Sequence, residues 1–133
     1  MKKVMCAGTF DVIHPGHLYY LSEAKKHGDK LIVIVARDET SKIFKGKQPV
    51  RNEKERLEAV RTLKIVDDAI LGKHGNIFDI IQEVTPDVIC LGYDQHVQKQ
   101  QLEDELRKRG IKAEVIRIGS YMPNLYKSSK LRK

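Results

Sequence analysis

His14 and His17 stand three residues apart, enclose Pro15 and Gly16, and follow an apolar run that ends in Ala7-Gly8-Thr9-Phe10-Asp11. On the first turn of a helix, side chains at that spacing share a face. Gly16 has no side chain, so a phosphate can approach the backbone closely. Pro15 has no N–H and fits the first helical position. The helix N-terminus adds unpaired N–H groups and a partial positive charge. The stretch is therefore an anion site armed with two imidazole donors, as the handling of nucleotide phosphates requires. A pair of surface histidines and a metal pair are the competing readings. Against the metal stands the ligand count: a site needs three or four protein ligands. Cys6 lies within an apolar strand pattern, and Glu23, six residues past His17, points from another face.

The elements that must hold this site alternate. Val4 to Ala7 is a short apolar run; Leu18, Leu21 and Ala24 then recur at helical spacing, with Gly28 expected to stop the helix. Leu31 to Ala36 is a continuous β-branched run, the mark of a strand covered on both faces. The polar stretch from Arg37 to Arg51 reads as a long functional loop. Leu57, Val60 and Leu63 mark a helix, and Ala69-Ile70-Leu71 a strand. Ile77, Ile80, Ile81 and Val84 form a helical stripe ended before Pro86. Val88-Ile89-Cys90-Leu91 is a buried strand, Leu102 and Leu106 face one side of a helix stopped by Gly110, and Ala113 to Ile118 is the last strand. Ser128-Ser129 suit the cap of a short terminal helix. Such alternation predicts an α/β fold with a five-stranded parallel sheet, helices on both faces and right-handed crossovers. Ligands of such sheets sit at the carboxyl ends of the strands, at the switch point. His14, His17, Lys45, Lys47 and Asp94 all follow strands and fall on that edge.

With 133 residues the chain reads as a single domain, 1–133, long enough to bury about two-thirds of its unfolded surface. No apolar run approaches the ~20 residues of a membrane span, and Met1-Lys2-Lys3-Val4 passes straight into a strand without a signal peptide. Cys6 and Cys90 read as buried thiols of a reducing, cytoplasmic setting. The net charge of +7 favours small polyanions such as ATP over nucleic acid, because no aromatic residues interleave with the basic ones.

Gly8-Thr9-Phe10-Asp11-x-x-His14-x-Gly16-His17 resembles the signature of the cytidylyltransferase-like nucleotidyltransferases. Ile34-Val35-Ala36-Arg37-Asp38-Glu39-Thr40, Lys45-Gly46-Lys47-x-Pro49 and Leu91-Gly92-Tyr93-Asp94-Gln95 resemble the archaeal FAD synthases within that group. The resemblance implies a Rossmann-like domain of the HUP/nucleotidylyl transferase type. It also implies in-line transfer of AMP from ATP to the phosphate of FMN, with pyrophosphate leaving, a divalent cation such as Mg²⁺, and a homodimer. His14, His17 and Lys45 would be catalytic. ATP would meet Thr9, Phe10, Pro15, Gly16, Lys47, Gly92 and Asp94, besides the two histidines. The tail from Tyr126 to Arg132 resembles the family's I-S-S-T-x-I-R element, so Ser128 and Ser129 would grip the β- and γ-phosphates, with Lys127 in place of its first serine; Tyr121 would also meet ATP. Asp11, Lys45 and Arg56 would bind the acceptor.

Each of these residues has a plainer alternative. The Phe10 ring reads equally as core. Asp11 either orients a histidine or caps the helix. Lys45 and Lys47 read equally as solvated loop lysines, Arg56 as an i,i+3 partner of Glu53, and Gly92-Tyr93-Asp94-Gln95 as a surface turn. Transfer of CMP to glycerol 3-phosphate, adenylyl transfer to a sugar phosphate, and non-catalytic nucleotide sensing remain as competing functions.

Overall fold

The computed structural model describes residues 2–10, 13, 15–38, 51–72, 77–92 and 98–119. Five strands make one sheet: β1 (Lys3–Gly8), β2 (Lys30–Val35), β3 (Asp68–Leu71), β4 (Val88–Leu91) and β5 (Glu114–Arg117). Their order is β3-β2-β1-β4-β5, and every neighbouring pair is parallel. Between them run α1 (Pro15–Lys25), α2 (Glu53–Arg61), α3 (Ile77–Val84) and α4 (Lys99–Lys108).

Side chains on successive strand residues point to opposite faces, and the core divides accordingly. Val4, Cys6, Leu31, Val33, Val35, Val88 and Cys90 pack with Leu21 and Ala24 of α1 and Val60 of α2. Met5, Ile32, Ile34, Ile89 and Leu91 pack with Ile80, Ile81 and Val84 of α3 and Leu102 and Leu106 of α4. The apolar runs Leu31–Val35 and Val88–Leu91 are thus covered on both faces, as their continuous hydrophobicity predicts. The winding runs outward from β1 through β2 to β3, then returns to β4 at the centre. This return makes the junction of β1 and β4 the switch point.

Local chemistry fixes the element ends. The Asn52 side chain accepts from the Glu55 amide at 2.8 Å, and the Glu55 carboxylate accepts from the Asn52 amide at 3.1 Å, a capping box that starts α2. Helix α3 ends at Val84, and the next residue, Thr85, adopts a φ of 50° before Pro86. Lys3 Nζ then donates to the Val84 carbonyl at 2.9 Å and the Thr85 hydroxyl at 3.0 Å. Gly28 acts differently from the expectation. Helix α1 ends earlier, at Lys25, and a Cβ on Gly28 would lie 2.7 Å from Val4 Cγ2 and 2.8 Å from the Lys2 carbonyl oxygen. Gly28 lets the turn into β2 close against the start of β1.

One device repeats at the N-terminal edge of the sheet. Asp29, Asp67 and Asp87 each immediately precede a strand. The Asp29 carboxylate accepts the Lys2 amide at 2.8 Å, Asp67 the Leu31 amide at 2.7 Å, and Asp87 the Lys3 amide at 2.8 Å. Each aspartate's own amide donates back to the carbonyl of the same partner, at 2.8–3.0 Å. N–H groups at the start of β1 (Lys2, Lys3) and near the start of β2 (Leu31) are satisfied this way.

Candidate active site

The carboxyl ends of β1 and β4 part company. Paired residues run from Val4↔Val88 to Cys6↔Cys90 between these strands. The outer pairings of both strands go further, to Gly8↔Val35 on one side and Leu91↔Arg117 on the other. A crevice therefore opens between the ends of β1 and β4, bordered by Gly8-Thr9-Phe10 and Leu91-Gly92.

The turn after β1 is built on close packing. Phe10 adopts a φ of 54°, and its ring is buried. A Cβ on Gly8 would lie 2.8 Å from Phe10 Cε2, so the ring folds back over the strand end only because Gly8 has no side chain. The same ring meets His17, with centroids 5.2 Å apart and planes tilted by 53°. His17 is half-buried, and its ring is oriented by Phe10 at the mouth of α1. The expectation that Phe10 belongs to the core holds for its ring. Pro15 is the first residue of α1, so Gly16 and His17 lie in the first turn, at the positive end of the helix.

Arg56 is wholly buried, at 0% exposure. Its guanidinium donates from Nη1 to the Thr9 carbonyl at 2.7 Å, from Nε to the Arg51 carbonyl at 3.1 Å, and from Nη2 to the Asp38 carboxylate at 2.7 Å. Glu53 takes another partner. Its carboxylate accepts from Arg37 Nη1 at 2.9 Å and from the Asp38 amide at 3.0 Å. The Asp38 amide, then the Arg37 guanidinium, hold the Glu53 carboxyl below its usual range. The helical Glu53–Arg56 pairing that spacing allows is replaced by this crossed arrangement. Arg56 so joins the turn after β1, the residue after Arg37 at the end of β2, and the approach to α2.

Two further arginines act alike. Arg37 Nε donates to the Gly72 carbonyl at 2.6 Å, just past β3. Arg117 Nη1 donates to the Gly92 carbonyl at 2.8 Å, just past β4. Sequence reasoning did not assign roles to Arg37, Asp38, Glu53 or Arg117 in this edge. Their position directly after or within strands, or at a helix start, was the available signal.

Of the expected site residues, Thr9, Phe10, Pro15, Gly16, His17 and Gly92 gather around the crevice or its bordering turn, and Arg56 lies behind Thr9. Asp11, His14, Lys45, Lys47, Asp94, Tyr121, Ser128 and Ser129 lie outside the described residues. Cys6 and Cys90 are buried and reduced. The hydrogen bond with Cys90, together with burial, pushes the Cys6 thiol well above its ordinary range. At neutral pH Cys6 is a protonated core thiol. Among the described residues no three His, Cys, Asp or Glu side chains converge as a metal site, and no helix is long and apolar enough to cross a membrane.

A doubly wound parallel sheet that splits at the switch point, with a helix N-terminus facing the split, is the architecture of Rossmann-like nucleotide-handling domains. Comparison with known proteins narrows the class. The cytidylyltransferase-like family matches residues 5–133. A protein of Ferroglobus placidus named FAD synthase is 58% identical over 118 residues, 89% of this chain and 76% of the relative. A Thermoplasma volcanium protein of the same name is 45% identical over 133 residues, 100% of this chain and 93% of the relative. The crystal structure of a lipopolysaccharide core biosynthesis protein from Thermoplasma volcanium superposes with a TM-score of 0.89 at 45% identity, covering 92% of this chain and 99% of that one. Pantothenate synthetase from Thermus thermophilus shares the fold alone, with a TM-score of 0.66 at 12% identity, 96% of this chain and 62% of that one. The chain belongs to the cytidylyltransferase-like family.

Proposed function

We infer that this protein transfers AMP from ATP to FMN, giving FAD and pyrophosphate. The observation that carries the reading is identity of 45–58% to FAD synthases over most of the chain. In the reaction a phosphate oxygen of FMN attacks the α-phosphorus of ATP in line. The bond from that phosphorus to the bridging oxygen breaks, and pyrophosphate leaves with the electron pair. Charge grows on the bridging and non-bridging oxygens, so fixed donors there lower the barrier. His17, held by Phe10 at the first turn of α1, is proposed as one such donor, and His14 as its companion. No covalent intermediate is needed.

Thr9, Phe10, Pro15, Gly16 and Gly92 are proposed to line the nucleotide's path with their backbones, and Asp94 to meet the ribose or base. Lys47, Ser128 and Ser129 are proposed for the triphosphate, Tyr121 for ATP, and Asp11 and Lys45 for the acceptor. Arg56 is proposed to serve the acceptor's side indirectly. Its guanidinium is engaged with Thr9, Arg51 and Asp38, so it shapes the turn beside the acceptor. A divalent cation such as Mg²⁺ is proposed to arrive on the triphosphate, since Mg²⁺ sites draw largely on substrate phosphates and water. The described residues assemble no resident metal site. A reducing cytoplasm and a homodimer complete the proposal, in keeping with the free thiols and the small sheet with open edges.

A second reading has one observation behind it. A solved relative is described as a lipopolysaccharide core biosynthesis protein, and such cores are built of sugars. Adenylyl transfer to a sugar phosphate is that alternative. Pyrophosphate release is measured with ATP or CTP against FMN, glycerol 3-phosphate and a hexose phosphate. Fastest release with ATP and FMN is the expected result. Faster turnover of ATP with the hexose phosphate, or of CTP with glycerol 3-phosphate, would transfer the assignment to that acceptor.

A further inference from the structure

The splitting of β1 from β4 needs a physical cause, because adjacent strands otherwise continue their ladder. Tyr20, on α1, lies under the split. Its hydroxyl donates to the Cys90 carbonyl of β4 at 2.8 Å and lies 3.5 Å from the Ala7 carbonyl of β1. These two carbonyls flank the last paired residues, Cys6↔Cys90. Burial, followed by the charge that Cys6 would carry, holds the Tyr20 phenol far above its ordinary range. The group therefore stays protonated and a donor at any physiological pH. On either side the strand ends are drawn outward. The Thr9 carbonyl is bound by Arg56 of α2, toward β2, and the Gly92 carbonyl by Arg117 of β5.

We propose that the Tyr20 hydroxyl is a positioning group that props β1 and β4 apart and so sets the width of the crevice that admits the adenine nucleotide. The inference rests on the nucleotide-binding reading of this crevice. It does not depend on FMN being the acceptor. Tyr20 touches no reacting atom; it acts through the two strand ends. Without the hydroxyl, the Cys90 and Ala7 carbonyls lose the donor that lies between them, and the strands gain a reason to close or to admit water.

The test uses Tyr20→Phe, which keeps the ring in the core and removes only the hydroxyl. Binding of an ATP analogue with a methylene group between its α- and β-phosphates is measured by calorimetry, beside pyrophosphate release from ATP and FMN. The variant is expected to unfold cooperatively like the parent and to bind the analogue roughly tenfold more weakly, the scale of one lost hydrogen bond. KM for ATP should rise with it, and KM for FMN should stay within about twofold, inside the spread of a single weak contact. Cys90→Ala, which alters the neighbouring thiol but keeps the carbonyl, should bind the analogue like the parent. Equal affinity of Tyr20→Phe and parent overturns the prop. So does an equal loss in Cys90→Ala, or a rise in both KM values together, since either marks general loosening of the core. A parent that binds the analogue but releases no pyrophosphate with FMN sinks the acceptor assignment and leaves the prop decided by the affinities. A parent that binds no nucleotide overturns both.

Discussion

The two edges of the sheet end their strands with opposite charges. At the N-terminal edge strands begin with free N–H groups, and aspartates accept them: Asp29 from Lys2, Asp67 from Leu31, Asp87 from Lys3. At the C-terminal edge arginines donate to carbonyls just past the strands: Arg56 to Thr9, Arg37 to Gly72, Arg117 to Gly92. Each choice follows from what a parallel strand leaves unpaired, since a buried backbone group without a partner is costly. Both devices reach far along the chain: the aspartate contacts span 27, 36 and 84 residues and the arginine contacts 47, 35 and 25. They differ in connection, because each aspartate stands by itself one residue ahead of β2, β3 or β4, whereas Arg56 and Arg37 are tied together through Asp38 and Glu53.

The sharpest way to break this contrast is Arg56→Met. The substitution keeps much of the side-chain volume and removes a buried charge that three partners share. Unfolding free energy is expected to fall by about 3–5 kcal/mol, the cost of breaking a buried ion pair from one side. Denaturant unfolding monitored by circular dichroism measures it. Because Thr9 and Arg51 lose their donor together, turnover should also fall in the folded fraction. A loss under about 1 kcal/mol, the level of a surface pair, would show that this edge is no more integrated than the other.

His17→Ala separates chemistry from architecture at the same edge. Pyrophosphate release is expected to drop by roughly 10²–10³, the effect of one lost transition-state donor. The ring leaves its packing against Phe10, so a modest loss of stability accompanies it. Near-normal release from a folded variant would return His17 to a packing role beside Phe10.

Much of this division was legible in the sequence and part was not. Continuous apolar runs at Leu31–Val35 and Val88–Leu91 announce a parallel sheet buried on both faces. Helical spacing of Leu102 and Leu106, or of Ile80, Ile81 and Val84, announces the covering helices. Histidines flanking Pro15-Gly16 after the first strand announce the switch point. The partners of Arg56 were hidden because they lie far off in the chain, 47 residues away at Thr9 and 18 at Asp38. Spacing within one helix suggested Glu53 instead, and tertiary packing overrode it. Tyr20 reads in sequence as one more apolar helix position. Only the register between β1 and β4 shows what its hydroxyl meets. The three aspartates were visible one residue before each strand, yet aspartate before a strand also reads as an ordinary turn residue.

The smallest expected effect is the acid titration that compares the edges directly. Asp67 at the N-terminal edge is held below the usual carboxylate range by the Lys25 ammonium, then by the Leu31 amide. Glu53 at the C-terminal edge is lowered by the Asp38 amide, then by Arg37. A carboxylate lowered in the folded state binds its proton more readily when unfolded. Its stabilisation is therefore complete above the unfolded value of about 4 and is lost as pH falls through the lower folded value. Unfolding free energy should be flat from neutral pH down to about 5 on account of these two groups and decline below about 4. Asp67→Asn and Glu53→Gln should each make that decline shallower. Salt distinguishes them. The Lys25–Asp67 pair is about one-third exposed on both sides, at 30% and 35%, so added salt should erase much of its share. Glu53 accepts a backbone amide and a guanidinium in a more enclosed setting, with side-chain exposure of 22%, and should keep its share. Equal salt sensitivity of the two variants' acid curves would mean that both edges are held by solvent-screened charge, and the contrast between them would fall with it.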